Sequence, residues 1–346
     1  MSSKEVNLFQ YIHGIKDGNI KYHKVKRLGE CRMSKVILVG EPMALFIAET
    51  EGKLDTVTSF TRSAAGAEMN VAIGLKRLEH EVCYITKLGM DPFGKYLIDF
   101  LNKEGIDTSK ICFDDHYPTA FQLKGKTSVG DPDVAYYRNG SAASNLKVDD
   151  VDSIDMSGFN HFHLTGIFPA ISDISRATLL YLIEKAKNNG LSTSFDPNLR
   201  PSLWKDDKDM VKTINKIAFR CDTVLPGISE GKILTGYDNE RDIADFYLKH
   251  GVKTVVIKLG PKGAYVKTQT EEAYIDGYKV DQVVDTVGAG DGFAVGFMSG
   301  ILENKDVREC ADRANAIGAI QVMHKGDNEG LPTREELFKF MEKKSL

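Results

Sequence analysis

From Val36 onward, short runs of apolar and β-branched residues alternate with longer stretches in which apolar positions recur at helical spacing. The runs "KVILVG", "EVCYITKLG", "FNHFHLTG", "LSTSFDP", "DTVLP" and "TVVIKLG" read as buried strands. A parallel sheet covered on both faces needs near-continuous hydrophobicity, not alternation. Between them, "GAEMNVAIGLKRLE", "FGKYLIDFLNKEG", "ISRATLLYLIEKAKNNG" and "GDGFAVGFMSGILEN" carry the helical pattern, and several end at a glycine suited to a left-handed cap. The alternation predicts an α/β fold, a doubly wound and mainly parallel sheet flanked by helices. Two segments break the rhythm: "MALFIAETEG" with "LDTVTSF", and "TAFQLKGKTSVGDPDVAYYRNG". Both read as antiparallel strands with turn residues. They predict a small β-sheet lid, drawn from about 42–62 and 116–140, over the carboxyl ends of the parallel strands, where open α/β sheets bind ligands.

Composition narrows the classes of function. With 346 residues, 42% hydrophobic and 27% charged, the chain can bury a large core. A net charge of −4 gives no general basic field for nucleic acid or an anionic membrane, so any phosphate binding is local. Cys31, Cys83, Cys112, Cys221 and Cys310 are widely spaced with no CxxC pair, as expected of reduced core thiols. No apolar run approaches the roughly 20 residues that cross a bilayer, and a cytoplasmic location is the expectation. The first 32 residues are polar, mixed in charge and without sustained periodicity. They are expected to be an extension preceding an original start at Met33, which divides the chain into 1–33 and a main domain at 34–346.

The most informative stretch is "VVDTVGAGDGFAVGFMSGIL". "YKVDQVVDT" predicts a strand, "VGAGD" a turn that needs small residues, and the rest a strongly apolar helix. The backbone amides of Gly288, Ala289 and Gly290 then point out of a helix N-terminus, where unsatisfied donors and the helix dipole attract an anion. Asp291 places a carboxylate beside that pocket. Such a group can accept a hydroxyl proton while the amides hold a transferring phosphoryl group. A glycine turn followed by aspartate is also an ordinary helix start, so local physics leaves both readings open. A dinucleotide-binding turn would instead lie near the first strand.

"DTVGAGDGF" resembles the C-terminal signature of the ribokinase-like, PfkB-type carbohydrate kinases, and "GAEMNVAIGLKRLEHEVCYITKLGMDPFGKYLIDFLNKEGID" resembles their other signature. The resemblance covers 36–346. It implies ATP-dependent phosphorylation of a sugar hydroxyl, with Asp291 as catalytic base and the preceding amides as an anion hole. "GISEGKIL" resembles an NxxE element, which implies that Glu230 organises magnesium and phosphates indirectly, although Gly227 stands where the family has asparagine. "IKLGPKGAYV" resembles the nucleotide loop, placing Lys258, Gly260 and Gly263 near ATP. Asn315 and Gly318 match a helix lining the adenine pocket. Carbonyls at Asp285 and Val287 match a potassium site found in some members.

"VAYYRNGSAAS", "SFDPNLRPSLW" and "KGDNEGLPT" resemble segments of the 2-keto-3-deoxygluconate kinase subgroup. Arg138 and Arg200 suit it chemically, because planar guanidinium groups bind a sugar acid's carboxylate bidentately. Tyr136 and Tyr137 occupy adjacent strand positions, so one can face substrate while the other packs. Gly66 and Asn70 are expected to approach the sugar, whereas Glu68 is equally a helix N-terminal acid. Gln122 departs from the subgroup, whose better-known members carry a tyrosine there, and Ala65 replaces a second glycine. Fructokinase, 5-keto-2-deoxygluconate kinase and a non-catalytic sugar-binding regulator remain alternatives. The resemblance further implies a homodimer paired at lid edges. His161 and His163 lack a third ligand at metal spacing and are expected in the core.

Overall fold

The computed structural model describes residues 34–127 and 132–343, together with the backbone of two short strands near the N-terminus. Two compact units are present, Met1–Arg32 and Met33–Leu346. In the first, β1 (Ile15–Lys16) pairs antiparallel with β2 (Asn19–Ile20). Cys31, the remainder of that segment and part of the loop joining two lid strands lie outside the described residues.

The second unit starts with β3 (Lys35–Val39), β4 (Met43–Ala48), β5 (Phe60–Ala65), α1 (Ala67–Arg77), β6 (Glu81–Gly89) and α2 (Pro92–Lys103). It continues through β7 (Ile111–Asp114), β8 (Phe121–Lys124), β9 (Val134–Tyr137), α3 (Val148–Val151), β10 (His161–Thr165), α4 (Asp173–Asn188) and β11 (Ser192–Asp196). Then come α5 (Asp207–Ala218), β12 (Thr223–Val224), α6 (Ile228–Thr235), α7 (Glu240–Lys249), β13 (Thr254–Lys258), β14 (Gly263–Thr268) and β15 (Glu272–Asp276). Three helices close the chain: α8 (Ala289–Leu302), α9 (Val307–Val322) and α10 (Arg334–Glu342).

Nine strands form the main sheet in the order β15-β14-β13-β12-β11-β10-β3-β6-β7. All neighbours from β7 to β13 are parallel, while β14 runs antiparallel to β13 and β15 to β14. The order reverses between β3 and β10, which opens a crevice at their carboxyl ends. A separate sheet, β5-β4-β8-β9, pairs β4 antiparallel with β5, β4 parallel with β8, and β8 antiparallel with β9. The main sheet is as the hydrophobic pattern predicts, and a separate small sheet is present, although β4 and β8 pair parallel where antiparallel strands are expected.

Two local expectations are corrected, and one hairpin was not foreseen. "YKVDQVVDT" is not a strand: the amides of Val284 and Asp285 donate to the Val322 carbonyl at the end of α9, and Val283 and Val284 are exposed. A β-branched run without a sheet neighbour has no ladder to join. The lid strand expected at "LDTVTSF" is β5 instead, whose register from Ala48↔Phe60 to Met43↔Ala65 carries it into the start of α1. Its "SAA" end has low strand propensity and is held by the β4 ladder, a tertiary effect. The hairpin β14–β15 carried no pattern that predicted it.

His161 and His163 are buried in β10 and share the Ser194 hydroxyl, at 2.6 Å from His161 Nε2 and 2.8 Å from His163 Nδ1. Burial lowers both, to about 4 and about 3, so they remain neutral core groups. Cys83, Cys112, Cys221 and Cys310 are free thiols.

α8 is apolar around its circumference because it is packed on several sides. Val295 presses on Gly74 of α1, where a Cβ would lie 2.5 Å from a Val295 methyl. On the facing side Gly292, Gly296 and Gly300, spaced one turn apart, let α8 meet α9 at backbone contact. A Cβ at Gly296 would stand 2.6 Å from Ala314 Cα and 2.7 Å from the Arg313 carbonyl. Because backbone atoms block that space, Gly296→Val is expected to destabilise the fold by about 1–3 kcal/mol or more, read as a lower urea midpoint. An unchanged midpoint would show that the two helices can separate freely.

Candidate active site

The crevice holds a polar cavity of about 440 Å³. Gly66, Asn70, Gln122, Tyr136, Arg138 and Arg200 all line it, as do Asp291, Glu230 and Lys258. The lid contributes through register: Gln122 pairs with Tyr136 across β8 and β9, while Tyr137 turns away and stacks on Phe121 at 4.5 Å. The two tyrosines thus face opposite sides, with Tyr136 lining the cavity. Gly66 caps α1 at φ 148°, and a Cβ there would meet the Glu41 carbonyl at 2.9 Å, so a side chain is excluded.

At the cavity's inner end, Gly288 adopts a left-handed conformation (φ 76°) and caps α8. A Cβ at Gly288 would lie 2.2 Å from the Asp327 carbonyl, so glycine is required by both conformation and space. The first amides of α8 have no intrahelical acceptor and face the cavity mouth. Ala289 is partly committed, its amide donating to the Thr286 carbonyl at 3.4 Å. Asp291 follows in the first turn. Asn70 Nδ2 donates to its Oδ2 at 2.8 Å and Asn198 Nδ2 to its Oδ1 at 3.4 Å. Burial pushes the Asp291 carboxyl up to about 7; the Asn70 hydrogen bond opposes this, the Asp196 charge adds to it, and Lys258 and Arg200 oppose it. A carboxyl poised there can both take and release a proton near neutral pH.

A second cavity, about 620 Å³, lies beyond Gly290. Val280, Val283, Phe293, Ala319 and Val322 give it an apolar lining, and Gly260, Gly263, Asn315 and Gly318 border it. Lys258, Thr286 and Gly290 line both cavities. Gly290 leaves the junction open, since a Cβ there would meet only Lys258 Nζ, at 3.8 Å. Asn315 supports the wall by donating to the carbonyls of Ile275 and Asp276 at 3.0 and 3.3 Å. Gly263 (φ 99°) would place a Cβ 2.0 Å from the Ile275 carbonyl.

Several of these groups are already engaged. Lys258 Nζ bridges both oxygens of buried Asp196, at 2.8 and 2.7 Å. Burial alone would lower Lys258, but the Asp196 and Glu230 carboxylates outweigh it and keep the ammonium charged. Glu230 accepts from the amides of Leu199 (2.8 Å) and Gly227 (2.7 Å), so it ties two loops together. Gly227 takes part through its backbone amide alone. Arg138 is fastened to buried Glu41, with Nε at 2.6 Å and a terminal nitrogen at 2.5 Å, and Ser141 donates to the other Glu41 oxygen. Its charge is balanced. Arg200 is exposed and donates only to the carbonyls of Asn198 and Leu199, so it brings net positive charge to the cavity. Glu68 is buried, accepts from Thr165 at 2.5 Å, and is pushed up to about 7 by burial.

Glu41, Asp196, Asn198, Asp327 and Lys124 carry no role in the sequence reading. Asp196 and Glu41 had a signal available, since a carboxylate closing an apolar strand ("STSFD", "ILVGE") must be paired when buried. Lys124 had none.

A carboxylate beside open helix amides, at the point where a polar and an apolar cavity join, defines a phosphoryl-transfer site. Comparison with known proteins gives the class. Residues 33–334 match the pfkB family carbohydrate kinase model, and the chain belongs to that family. It is similar to 2-dehydro-3-deoxygluconokinase of Bacillus subtilis (strain 168), at 47% identity over 88% of this chain and 94% of the relative. It is also similar to the enzyme of the same name from Thermoproteus tenax, at 34% identity over 88% and 93%. Among solved structures it resembles a PfkB protein from Polaromonas sp. JS666 (TM-score 0.82, 43% identity, 88% of this chain and 99% of that one). A ribokinase II-like protein from E. coli bound to ATP and Mg2+ matches at TM-score 0.83 and 26% identity, over 90% and 100%. A double mutant of fructokinase from Vibrio cholerae O395, bound to fructose, ADP and potassium, matches at 0.79 and 25%, over 89% and 98%.

The residues fit a nucleotide: the apolar walls suit a base, and the α8 amides with Lys258 suit phosphates. Among the described residues no group of three His, Cys, Asp or Glu side chains forms a metal cage. Magnesium therefore fits as an ion arriving on nucleotide phosphates, with Glu230 and Asp196 nearby. Of the expected potassium donors, Val287's carbonyl accepts from Gln321 Nε2 at 3.3 Å; at the other position, Asp285, the side-chain carboxylate faces Lys124.

The Glu41–Arg138 pair yields a prediction. Glu41→Gln strands a nearly buried guanidinium and is expected to cost about 3–5 kcal/mol of stability in urea unfolding. A loss below about 1 kcal/mol would mean that the pair is screened like a surface ion pair.

Proposed function

We propose that this carbohydrate kinase phosphorylates the terminal hydroxyl of an acid sugar, 2-keto-3-deoxygluconate, giving 2-keto-3-deoxy-6-phosphogluconate. The observation that carries the reading is the position of Asp291 at the junction where Gly290 and Lys258 border both cavities. The sugar lies in the polar cavity and ATP in the apolar one, with its γ-phosphate toward the α8 amides. Asp291 takes the hydroxyl proton as that oxygen attacks the γ-phosphorus; the bond to the β-phosphate oxygen breaks and ADP leaves. Asn70 and Asn198 hold the carboxylate in line, and the amides at Gly288, Ala289 and Gly290 meet the charge of the transferring group. Magnesium bound with the nucleotide supplies further positive charge to the phosphate oxygens.

Arg200 is the reader of the sugar carboxylate, with Tyr136 and Gln122 beside it. Arg138, neutralised by Glu41, adds directed donors without net charge. That balance favours a second reading, a neutral-sugar kinase such as a fructokinase, because the cavity holds fewer free cations than the motifs imply. The catalytic unit is taken as 34–346, with 1–33 as an extension, in line with a family match that begins at residue 33. A cytoplasmic location is part of the same proposal; no described helix is long and apolar enough to cross a membrane. The open lid edges at β5 and β9, with Tyr136 and Tyr137 half-exposed, suit a homodimer.

Asp291→Asn is expected to lower turnover about 100-fold or more with little change in ATP affinity. For the unaltered enzyme, a carboxyl raised to about 7 is protonated below that pH, so kcat/KM should fall as pH drops through about 7 and level off above it. Near-normal turnover in the variant would remove Asp291 as the base. Coupled ADP release should favour 2-keto-3-deoxygluconate over fructose by about 100-fold or more in kcat/KM. Arg200→Gln should cost about 10–100-fold with the acid sugar only, the range for a lost charge-assisted pair. An equal loss with fructose, or a preference for fructose, would establish the neutral-sugar reading.

A further inference from the structure

The lid strand β8 sends Lys124 to the loop that precedes the anion hole. Its ammonium lies 3.6 Å from Asp285 Oδ2 and 3.7 Å from Asp327 Oδ1, with all three side chains at most one-fifth exposed. These separations are those of charge attraction, not of hydrogen bonding. Asp285 otherwise accepts from the amides of Val287 (3.0 Å) and Gly326 (3.4 Å), and Asp327 Oδ1 has no hydrogen-bond partner. Burial raises the Asp327 carboxyl, Lys124 opposes that, and Glu329 and Asp285 add to it. The carboxylates here need a cation, and the chain itself provides one.

The position of this charge matters for catalysis. Asp327's carbonyl abuts Gly288, and Asp285 belongs to the turn that presents the α8 amides. Gln321 Nε2 completes the support by donating to the carbonyls of Val287 and Gly326 at 3.3 and 2.8 Å. On the lid side, Lys124 and Gln122 are two apart on β8 and so project from the same face. Gln122 lines the polar cavity. One ammonium therefore joins the strand that contacts the sugar to the turn that holds the phosphoryl group.

We propose that Lys124 is a positioning residue that takes the part of a monovalent cation beside the anion hole, making this kinase independent of potassium. The inference rests on the phosphoryl-transfer reading of the site, but not on the identity of the sugar. It is tested on the full chain in potassium chloride and in choline chloride at matched ionic strength, by turnover and by thermal melting without substrate. The unaltered enzyme should show rates within about twofold and equal melting midpoints in the two salts. Lys124→Ala should lose about tenfold or more in choline chloride, regain most of it in potassium chloride, and melt higher in potassium than in choline. Lys124→Arg should behave as the unaltered enzyme does. Stimulation of the unaltered enzyme by several-fold in potassium would overturn the proposal. So would a folded Lys124→Ala enzyme that keeps full activity in choline, or one that potassium fails to restore. The salt comparison on the unaltered enzyme decides even where the alanine variant does not fold. The melting measurement stands even where 2-keto-3-deoxygluconate is the wrong sugar.

Discussion

The left-handed turn at Gly288 fixes where α8 begins, and the site is arranged around that point. A residue with a Cβ would collide with the Asp327 carbonyl, so the turn and the loop before α10 define one another. Once the helix starts there, its unsatisfied amides point to the junction of the two cavities and Asp291 falls in the first turn. The glycines on α8's α9-facing side hold the axis in place, because helices in backbone contact cannot slide without breaking many close contacts at once. Rigidity far from the chemistry thereby sets the aim of the donors.

Around this frame the cavity is rich in buried charge, much of it paired. Asp196 neutralises Lys258, and Glu41 neutralises Arg138. Such pairs contribute little net stability, since desolvation offsets much of their attraction, but they fix side chains where removal of one partner would be costly. Glu68, Glu230, Arg200 and Asp291 stand outside the pairing, the two glutamates accepting only from neutral donors. Arg200 is exposed and pairs with no carboxylate among the described residues. Asp291 lies among other carboxylates with neutral amide partners, so burial raises its affinity for a proton into the range a general base uses.

The lid joins this arrangement through side chains of a single strand pair. Tyr136 and Gln122 face the cavity in register, and Phe121 and Tyr137 stack away from it. β8 therefore carries Gln122 to the polar cavity and, two residues on, the ammonium of Lys124 to the Asp285 loop that precedes α8. A lid with that connectivity ties its own position to the start of α8.

Much of this was legible in the chain. Apolar runs and helical periodicity determine the layered sheet, because burial on two faces demands continuous hydrophobicity, and "VGAGD" determines a helix start with open amides, because only small residues leave them uncovered. The sequence alone also assembled the cavity-lining set, from Gly66 and Asn70 to Arg138, Arg200 and Asp291. It erred where structure depends on a distant partner: "YKVDQVVDT" has strand composition but no neighbouring ladder, and "SAA" in β5 is a strand only because β4 lies beside it. The same physics hid the charge state of the site. Whether Arg138 is free or neutralised is decided by Glu41, 97 residues away, and whether the Asp285 loop faces a lysine by Lys124, 161 residues away; whether Asp291 has an ordinary carboxyl or one raised to about 7 is decided by its burial, against the opposing hydrogen bond from Asn70, 221 residues away. Local pattern records what a residue is and which face it takes; Coulomb interactions and desolvation depend on what folding brings within a few ångströms, and only the tertiary structure holds that information.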